Sequence, residues 1–202
     1  NELRRHVPAP YTSRSGMLVI YVLRFFWGTP ESVQLSEQLC RELEGIIARQ
    51  AFPVRPELHR LLQMGAPPLY APPIFDYLEK ERGVSLVFEE TSPIHWPPLE
   101  APDPFGSMAR QVFYGAYGLE PLLQRRAARA LQLARDYRVD GVLHGSPWGC
   151  RQLNGGTVIL KDFFAQHGLP FLNLDFDLVD SRNFSFSTIE EQLDGFLEML
   201  EE

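Results

Sequence analysis

The sequence predicts an α/β domain with a mostly parallel four-stranded sheet, helices on both faces, and a helical segment before it. From about residue 54 onward, short apolar runs alternate with helix-like patterns, as in sheets built from strand–helix–strand units. The stretch 139–183 shows one such unit clearly: an apolar run, a polar turn, a helical pattern and a second apolar run. We expect the flavodoxin-like strand order 2-1-3-4.

Residues 1–52 are predicted to form a helical connecting segment, and residues 53–202 the flavodoxin-like α/β domain. Thr29 followed by Pro30 is a typical helix start, with Thr29 as the N-cap. Apolar residues then recur at helical spacing, namely Leu35, Leu39, Leu43, Ile46 and Ile47. The apolar run 17–27 contains β-branched residues that favour a strand, although a buried helix would give a similar pattern.

Strands of the domain are predicted where short apolar runs end in turn residues. These runs cover residues 59–64, 84–88, 141–145 and 170–175. Helices are predicted at 74–82, from 103–104 onward, at 121–137, at 155–167 and from 187 to the end. The helix at 121–137 has a stripe of small and apolar residues, Leu123, Ala127, Ala130, Leu131 and Ala134. In the last helix, Ser187 and Glu190 match a capping box before an apolar face.

Composition excludes several classes of function. The 202 residues carry a formal net charge of -7, which argues against nucleic-acid binding, because such proteins present a basic face. The longest apolar run, 17–27, contains Arg24 and is too short to span a membrane. Two cysteines cannot build a disulfide framework, so we expect a reducing, cytoplasmic location.

Cys150 is the first candidate functional residue, because it lies in the polar turn after the third predicted strand. Ligands of open α/β sheets bind outside the carboxyl ends of strands. Arg151 and the following helix would favour the thiolate, the form that binds metals or attacks electrophiles. A thiol in this turn, flanked by Trp148, Gly149 and Arg151, could bind a metal or act as a nucleophile. A buried, inert cysteine is the alternative, and packing is the role expected for Cys40.

Three side chains near strand ends are candidate catalytic groups. Ser146 precedes Cys150 in the same turn, and Glu89 and Glu90 follow the second predicted strand, where carboxylates could exchange protons with a ligand. The alternative for the glutamates is a pair of solvated loop charges, because exposed carboxylates are the norm. His144 is close enough to share the site, although it lacks metal-binding spacing and a structural role is the default.

The fourth predicted strand ends in a cluster of charged residues, Asp175, Asp177, Asp180 and Arg182. The carboxylates could bind a metal ion. A network in which the carboxylates and the arginine order the loop is the preferred interpretation.

Four stretches follow one another in a characteristic order and spacing. They are DPFGSMA, DGVLHGSPWGCRQ, ILKDFFAQHGLPFLNLDFDLVDSRNFS and a final helix ending in GFLEML. Together they resemble the 2-hydroxyacyl-CoA dehydratase family, which includes subunits of 2-hydroxyglutaryl-CoA dehydratase and benzoyl-CoA reductase. The resemblance covers most of the chain from about residue 55 and implies the C-terminal domain of such a subunit.

The resemblance implies that Cys150 is a ligand of a [4Fe-4S] cluster, since family members bind one through cysteines. Trp148, Gly149 and Arg151 would then be cofactor-binding residues beside it. It further implies a lyase that dehydrates (R)-2-hydroxyacyl-CoA to enoyl-CoA by radical chemistry. The substrate would be an acyl-CoA, and the partners a second dehydratase subunit and an ATP-hydrolysing iron–sulfur activator. The family's other cluster cysteines lie in an N-terminal domain, so the isolated chain is not expected to hold a stable cluster or to be active.

Three other functions fit the same residues. A benzoyl-CoA reductase or a double-cubane cluster reductase subunit would share this unit. A non-catalytic scaffold module is suggested by Gln192, which stands where the family usually has an arginine four residues before Phe196. An unrelated transferase would use Cys150 as its nucleophile.

Overall fold

The computed structural model describes residues 1–26, 28–66, 72–92, 98–115 and 122–201. Within these ranges the strands are β1 (His59–Gly65), β2 (Val84–Glu89), β3 (Gly141–Pro147) and β4 (Phe171–Phe176). They form one sheet in the order β2-β1-β3-β4, and every neighbouring pair is parallel. The predicted α/β class and the predicted strand order are therefore confirmed.

The helices in the described ranges surround this sheet. They are α1 (Ser13–Phe25), α2 (Pro30–Arg49), α3 (Pro72–Asp76), α4 (Pro104–Gly115), α5 (Leu123–Asp136), α6 (Arg151–Asn154), α7 (Thr157–Gln166) and α8 (Phe186–Glu201). A π-helical turn, Tyr77–Glu81, extends α3. None of these helices is long and apolar enough to cross a membrane.

Two apolar cores lie on opposite faces of the sheet, because successive strand residues point to opposite sides. On one face, α5 and α7 pack against the sheet through Ala127, Ala130, Leu131, Ala134, Leu160 and Phe164. On the other face, α3 and α8 pack through Ile74, Phe75, Ile189, Leu193, Phe196 and Leu197. Leu61 and Leu62 of β1 are both fully buried, one in each core. Helices on both faces and the predicted apolar stripes of α5 and α8 are thus confirmed.

The carboxyl ends of β1 and β3 approach each other closely. A Cβ atom on Gly145 would lie 1.8 Å from the carbonyl oxygen of Ala66, and one on Gly65 would lie 2.3 Å from that of Gly145. The Ala66 N–H donates to the Gly145 carbonyl at 3.2 Å across this contact. Gly65 also has a φ of 70°, so both positions require glycine.

The N-terminal segment packs on the sheet domain. Ala9 is buried in one core, and the Tyr11 hydroxyl donates to the Val87 carbonyl at 2.7 Å. The run 17–27 lies mostly in α1, so the preference for a strand was wrong. The helix satisfies its own backbone while Leu18 and Phe25 stay exposed. The boundary between residues 52 and 53 stays a prediction.

Two helices, α2 and α4, start where the sequence predicts. Thr29 caps α2 by accepting from the Ser32 N–H at 3.2 Å, and Asp103 accepts from Gly106 before α4 at 3.0 Å. The capping box predicted at Ser187 is wrong, because α8 already begins at Phe186. Pro121, the predicted start of the helix that ends near Tyr137, lies outside the described residues.

Candidate functional site

The turn that follows β3 places Cys150 at the carboxyl edge of the sheet. Its backbone is held to the neighbouring strand, since the Trp148 N–H donates to the Phe176 carbonyl at 2.8 Å. Gly149 has a φ of 77° and open space where a side chain would be, and the Cys150 N–H donates back to Pro147 at 3.2 Å. The turn therefore has a defined shape, and its outer surface is open.

Cys150 itself is half-buried, while Trp148 and Arg151 are exposed. The helix predicted at 155–167 is present as α7. The single turn of α6, which comes directly after the cysteine, was not predicted. The Asn154 side chain donates to the Pro147 carbonyl at 2.9 Å and so fastens α6 to the turn.

Glu90 lies at the same edge and forms a buried ion pair with Arg126 of α5. Arg126 Nε donates to Glu90 Oε1 at 2.5 Å, and Arg126 Nη2 donates to Oε2 at 2.8 Å. The Gly65 N–H also donates to Oε2, at 3.1 Å. The interpretation of Glu90 as a solvated loop charge is wrong, because both side chains are about 95% buried and neutralise each other.

His144 continues this polar contact across the sheet. Its Nε2 lies 3.3 Å from Arg126 Nη2, and its Nδ1 lies 2.7 Å from Asn173 Oδ1. The Ser146 hydroxyl donates to the same Asn173 oxygen at 2.6 Å. Burial, more than any neighbouring group, lowers the pKa of His144 below its usual value. The histidine is therefore neutral and part of a continuous buried network.

Glu89 forms a second buried ion pair on the other side of β2. Its Oε2 accepts from Arg4 Nη2 at 2.6 Å and from the Ser92 hydroxyl at 2.5 Å. Its Oε1 is buried without a hydrogen-bond partner, and a Cβ on Gly16 would lie 2.4 Å from that oxygen. Glu89 is thus no solvated charge either, and it ties the N-terminal segment to the sheet.

The charged end of β4 orders its own loop, as predicted. Asp177 Oδ1 accepts from the backbone N–H groups of Val179 and Asp180 at 2.9 and 3.0 Å. The Arg182 side chain donates to both carboxylate oxygens of Asp180. These hydrogen bonds lower the pKa of each aspartate. The remaining aspartate, Asp175, accepts from Asn173 Nδ2 at 3.0 Å.

Comparison with known proteins decides the family. A family model described as 2-hydroxyglutaryl-CoA dehydratase, D-component, matches residues 1–200. The chain belongs to this dehydratase family. One subunit of the benzoyl-CoA reductase of Thauera aromatica is 25% identical over 193 residues, which cover 88% of this chain and 43% of that protein. This member of the dehydratase family thus spans less than half the length of that relative.

Two cysteines are the possible thiolate ligands of a [4Fe-4S] cluster in the described residues of this chain. Such clusters are held by several thiolates. Cys150 offers one thiol at an open turn, whereas Cys40 lies on α2. Within the described ranges, no group of three or more His, Cys, Asp or Glu side chains could hold a metal ion. Cys40 is exposed, so the packing role predicted for it is wrong.

Sequence reasoning missed Arg126 and Asn173, which connect Glu90 to His144 and Ser146. A signal for Arg126 was available, because it lies three residues after Leu123 and four before Ala130, on the apolar stripe of α5. A charged residue on such a stripe indicates a buried partner. Asn173 gave no comparable signal, since one polar residue in a strand usually faces solvent.

Proposed function

We propose that the chain is a domain of a 2-hydroxyacyl-CoA dehydratase-type subunit, in which Cys150 is one ligand of a [4Fe-4S] cluster. The reaction would be the radical dehydration of (R)-2-hydroxyacyl-CoA to enoyl-CoA. The observation that carries this proposal is the position of Cys150, half-buried in an open turn at the carboxyl edge of a parallel sheet, in a chain of this family. Ligands of open α/β folds bind at that edge.

The residues of the turn would bind the cluster and shield it. A [4Fe-4S] cluster supplies single electrons and a Lewis-acidic iron when it is bound. Cys150 would bind as the thiolate, and Gly149 leaves its backbone accessible because it carries no side chain. The exposed Arg151 would offset negative charge from the thiolate ligands, and the Trp148 ring, 56% exposed, would exclude water. The other ligands would come from outside these 202 residues.

Ser146, Glu89 and Glu90 are proposed to support the reaction through the groups that they hold. All three are buried, and each accepts or donates hydrogen bonds within the protein. A positioning role therefore fits them better than direct contact with an acyl-CoA. The proposed partners are an acyl-CoA substrate, a second dehydratase subunit and an ATP-hydrolysing iron–sulfur activator.

A benzoyl-CoA reductase-type activity is the second candidate, favoured by the identity to a benzoyl-CoA reductase subunit. The two activities would use the same cysteine ligand and differ in the acyl group and in the reaction, because dehydration is redox-neutral whereas reduction of the aromatic ring consumes electrons from the activator. Assays of the assembled, activated enzyme with (R)-2-hydroxyacyl-CoA and with benzoyl-CoA would separate them. Turnover of benzoyl-CoA alone would replace the first proposal with the second.

The test of the cluster ligand is a pair of cysteine variants. The full protein, purified without oxygen, is expected to be brown and to contain iron. Cys150→Ala should lose the visible absorption and the iron, whereas Cys40→Ala, on the exposed surface of α2, should keep both. Unchanged iron content in Cys150→Ala would rule out the proposed ligand.

A further inference from the structure

A buried chain of hydrogen bonds at the carboxyl edge of the sheet runs from Glu90 to the surface. We propose that Arg126 is a positioning residue that fixes His144 as the neutral, Nδ1-protonated tautomer and thereby orients Asn173 and Ser146. This inference deepens the proposed function, because Ser146 is the last but one residue of β3, the strand that leads into the Cys150 turn. Only the role of the Cys150 turn rests on the proposed function. The hydrogen bonds of the network do not depend on it.

The first step follows from what a guanidinium can do. Arg126 carries only donors, since its side chain has no hydrogen-bond acceptor. Two of its N–H groups are aligned on the Glu90 carboxylate, which holds the guanidinium plane in place. The same Nη2 lies 3.3 Å from His144 Nε2. That nitrogen must therefore accept, so it cannot carry a proton.

The second step follows from the neutral imidazole, which has one proton on one of its two nitrogens. With Nε2 as the acceptor, the proton is on Nδ1, and it is donated to Asn173 Oδ1 at 2.7 Å. The Ser146 hydroxyl donates to that same oxygen at 2.6 Å. If the proton were on Nε2 instead, that N–H would face an Arg126 donor, and the bare Nδ1 would face the Asn173 oxygen, which is also an acceptor.

The last link fixes the amide. Asn173 Nδ2 donates to Asp175 Oδ1 at 3.0 Å, so the oxygen of the amide points to His144 and Ser146. The network thus extends from Glu90, 3% exposed, to a carboxylate near the solvent. Breaking the contact at its buried end would free the imidazole to flip, and Asn173 Oδ1 would then lose the hydrogen bond from His144 Nδ1.

The charges around His144 are consistent with a permanently neutral ring. The charged groups that face it are Arg126 on α5, Glu90 after β2 and Asp175 on β4. Glu90 is paired with Arg126, and the Asp175 side chain is exposed and hydrogen-bonded to the Asn173 amide. An added proton would place two buried cations side by side with one buried carboxylate between them. The network therefore keeps its pattern of donors as the pH falls.

The experiment is nitrogen NMR of the full protein labelled with 15N-histidine, assigned by comparison with His144→Gln. The natural protein should show a protonated Nδ1 and an unprotonated Nε2 at His144, unchanged from pH 8 to about pH 5.5. In Glu90→Gln/Arg126→Met, which leaves no unpaired buried charge, the signal should shift to a mixture of tautomers. Arg126→Lys, still a pure donor, should retain the Nδ1-protonated form.

Three outcomes would overturn the inference. The first is a protonated Nε2 or an imidazolium at His144 in the natural protein, a measurement that needs no variant to fold. The second is an unchanged tautomer in Glu90→Gln/Arg126→Met. The third is loss of the tautomer in Asn173→Leu, which would show that Asn173 sets it. None of these results depends on iron content, so the proposed function and this inference can fail separately.

Discussion

The Glu79 carboxylate accepts two hydrogen bonds from Ser13, one from its backbone N–H and one from its hydroxyl, each at 2.6 Å. Ser13 is the first residue of α1, and both residues are buried. The contact therefore fastens the start of this helix to the turn that extends α3. Burial raises the pKa of Glu79, and the two hydrogen bonds from Ser13 only partly oppose that effect.

The raised pKa of Glu79 predicts an unusual pH dependence. The folded state holds this proton more tightly than the unfolded state, so the contribution to stability should grow as pH falls through the raised pKa. Glu79→Gln keeps an acceptor for Ser13 and should remove this dependence. Urea unfolding of both proteins between pH 5 and pH 8 measures it. Equal slopes would mean that Glu79 titrates normally.

Breaking the Glu90–Arg126 pair on one side should be costly. Arg126→Met alone leaves a buried, unpaired carboxylate and is expected to lower the free energy of unfolding by about 3–5 kcal/mol. Glu90→Gln/Arg126→Met removes both charges, and Gln can still accept from the Gly65 N–H, so it should cost less than the single change. Denaturant unfolding of both variants gives the comparison. A double variant less stable than Arg126→Met would contradict the pairing.

The pH dependence of stability that is due to His144 should be opposite to that due to Glu79. Its pKa is lowered in the folded state, so the unfolded state takes up a proton first, near pH 6.5. Stability from this residue should be complete above that pH and should fall as the pH drops towards the lowered pKa. In His144→Gln, the loss of stability that protonation of this histidine causes should disappear. The check is the difference in unfolding free energy between pH 7.5 and pH 5.5, which should be smaller in the variant.

The glycine contact between β1 and β3 gives a matched pair of substitutions. Gly145→Ala would place a methyl group against the Ala66 carbonyl and should cost about 1–3 kcal/mol or more. Gly195→Ala, on α8 with nothing within 4 Å of the added carbon, should stabilise by about 0.5–1 kcal/mol. Thermal unfolding of the two variants should shift in opposite directions. A tolerated Gly145→Ala would show that the strand ends can separate.

The sheet could be predicted because its signals are local. Apolar runs such as 84–88 and the capping residue Thr29 each determine their own element, and parallel pairing follows from the alternation with helices. The turn at Cys150 was found for the same reason, since one strand end and one cysteine define it.

The polar network could not be predicted in the same way. Glu90 and Arg126 are 36 residues apart, and only the packing of α5 on the sheet brings them together. From sequence alone, a glutamate after a strand is read as solvated, because the arginine that neutralises it cannot be seen. The ion pair forms through tertiary packing, which the sequence does not display. In the sequence it is indicated only by one charged residue, Arg126, on the apolar stripe of α5.

The close contact of Gly65 and Gly145 leaves little room between the carboxyl ends of β1 and β3. In flavodoxin-like sheets the gap between these two strand ends is where a flat ring normally enters. Here the carbonyl oxygens of Ala66 and Gly145 narrow that gap, and the Glu90 carboxylate accepts a hydrogen bond from the Gly65 N–H beside it. Under the function proposed above, a ligand of the Cys150 turn would approach over the open outer surface of the Gly149–Cys150 bend, and the facing surface would belong to another part of the full protein.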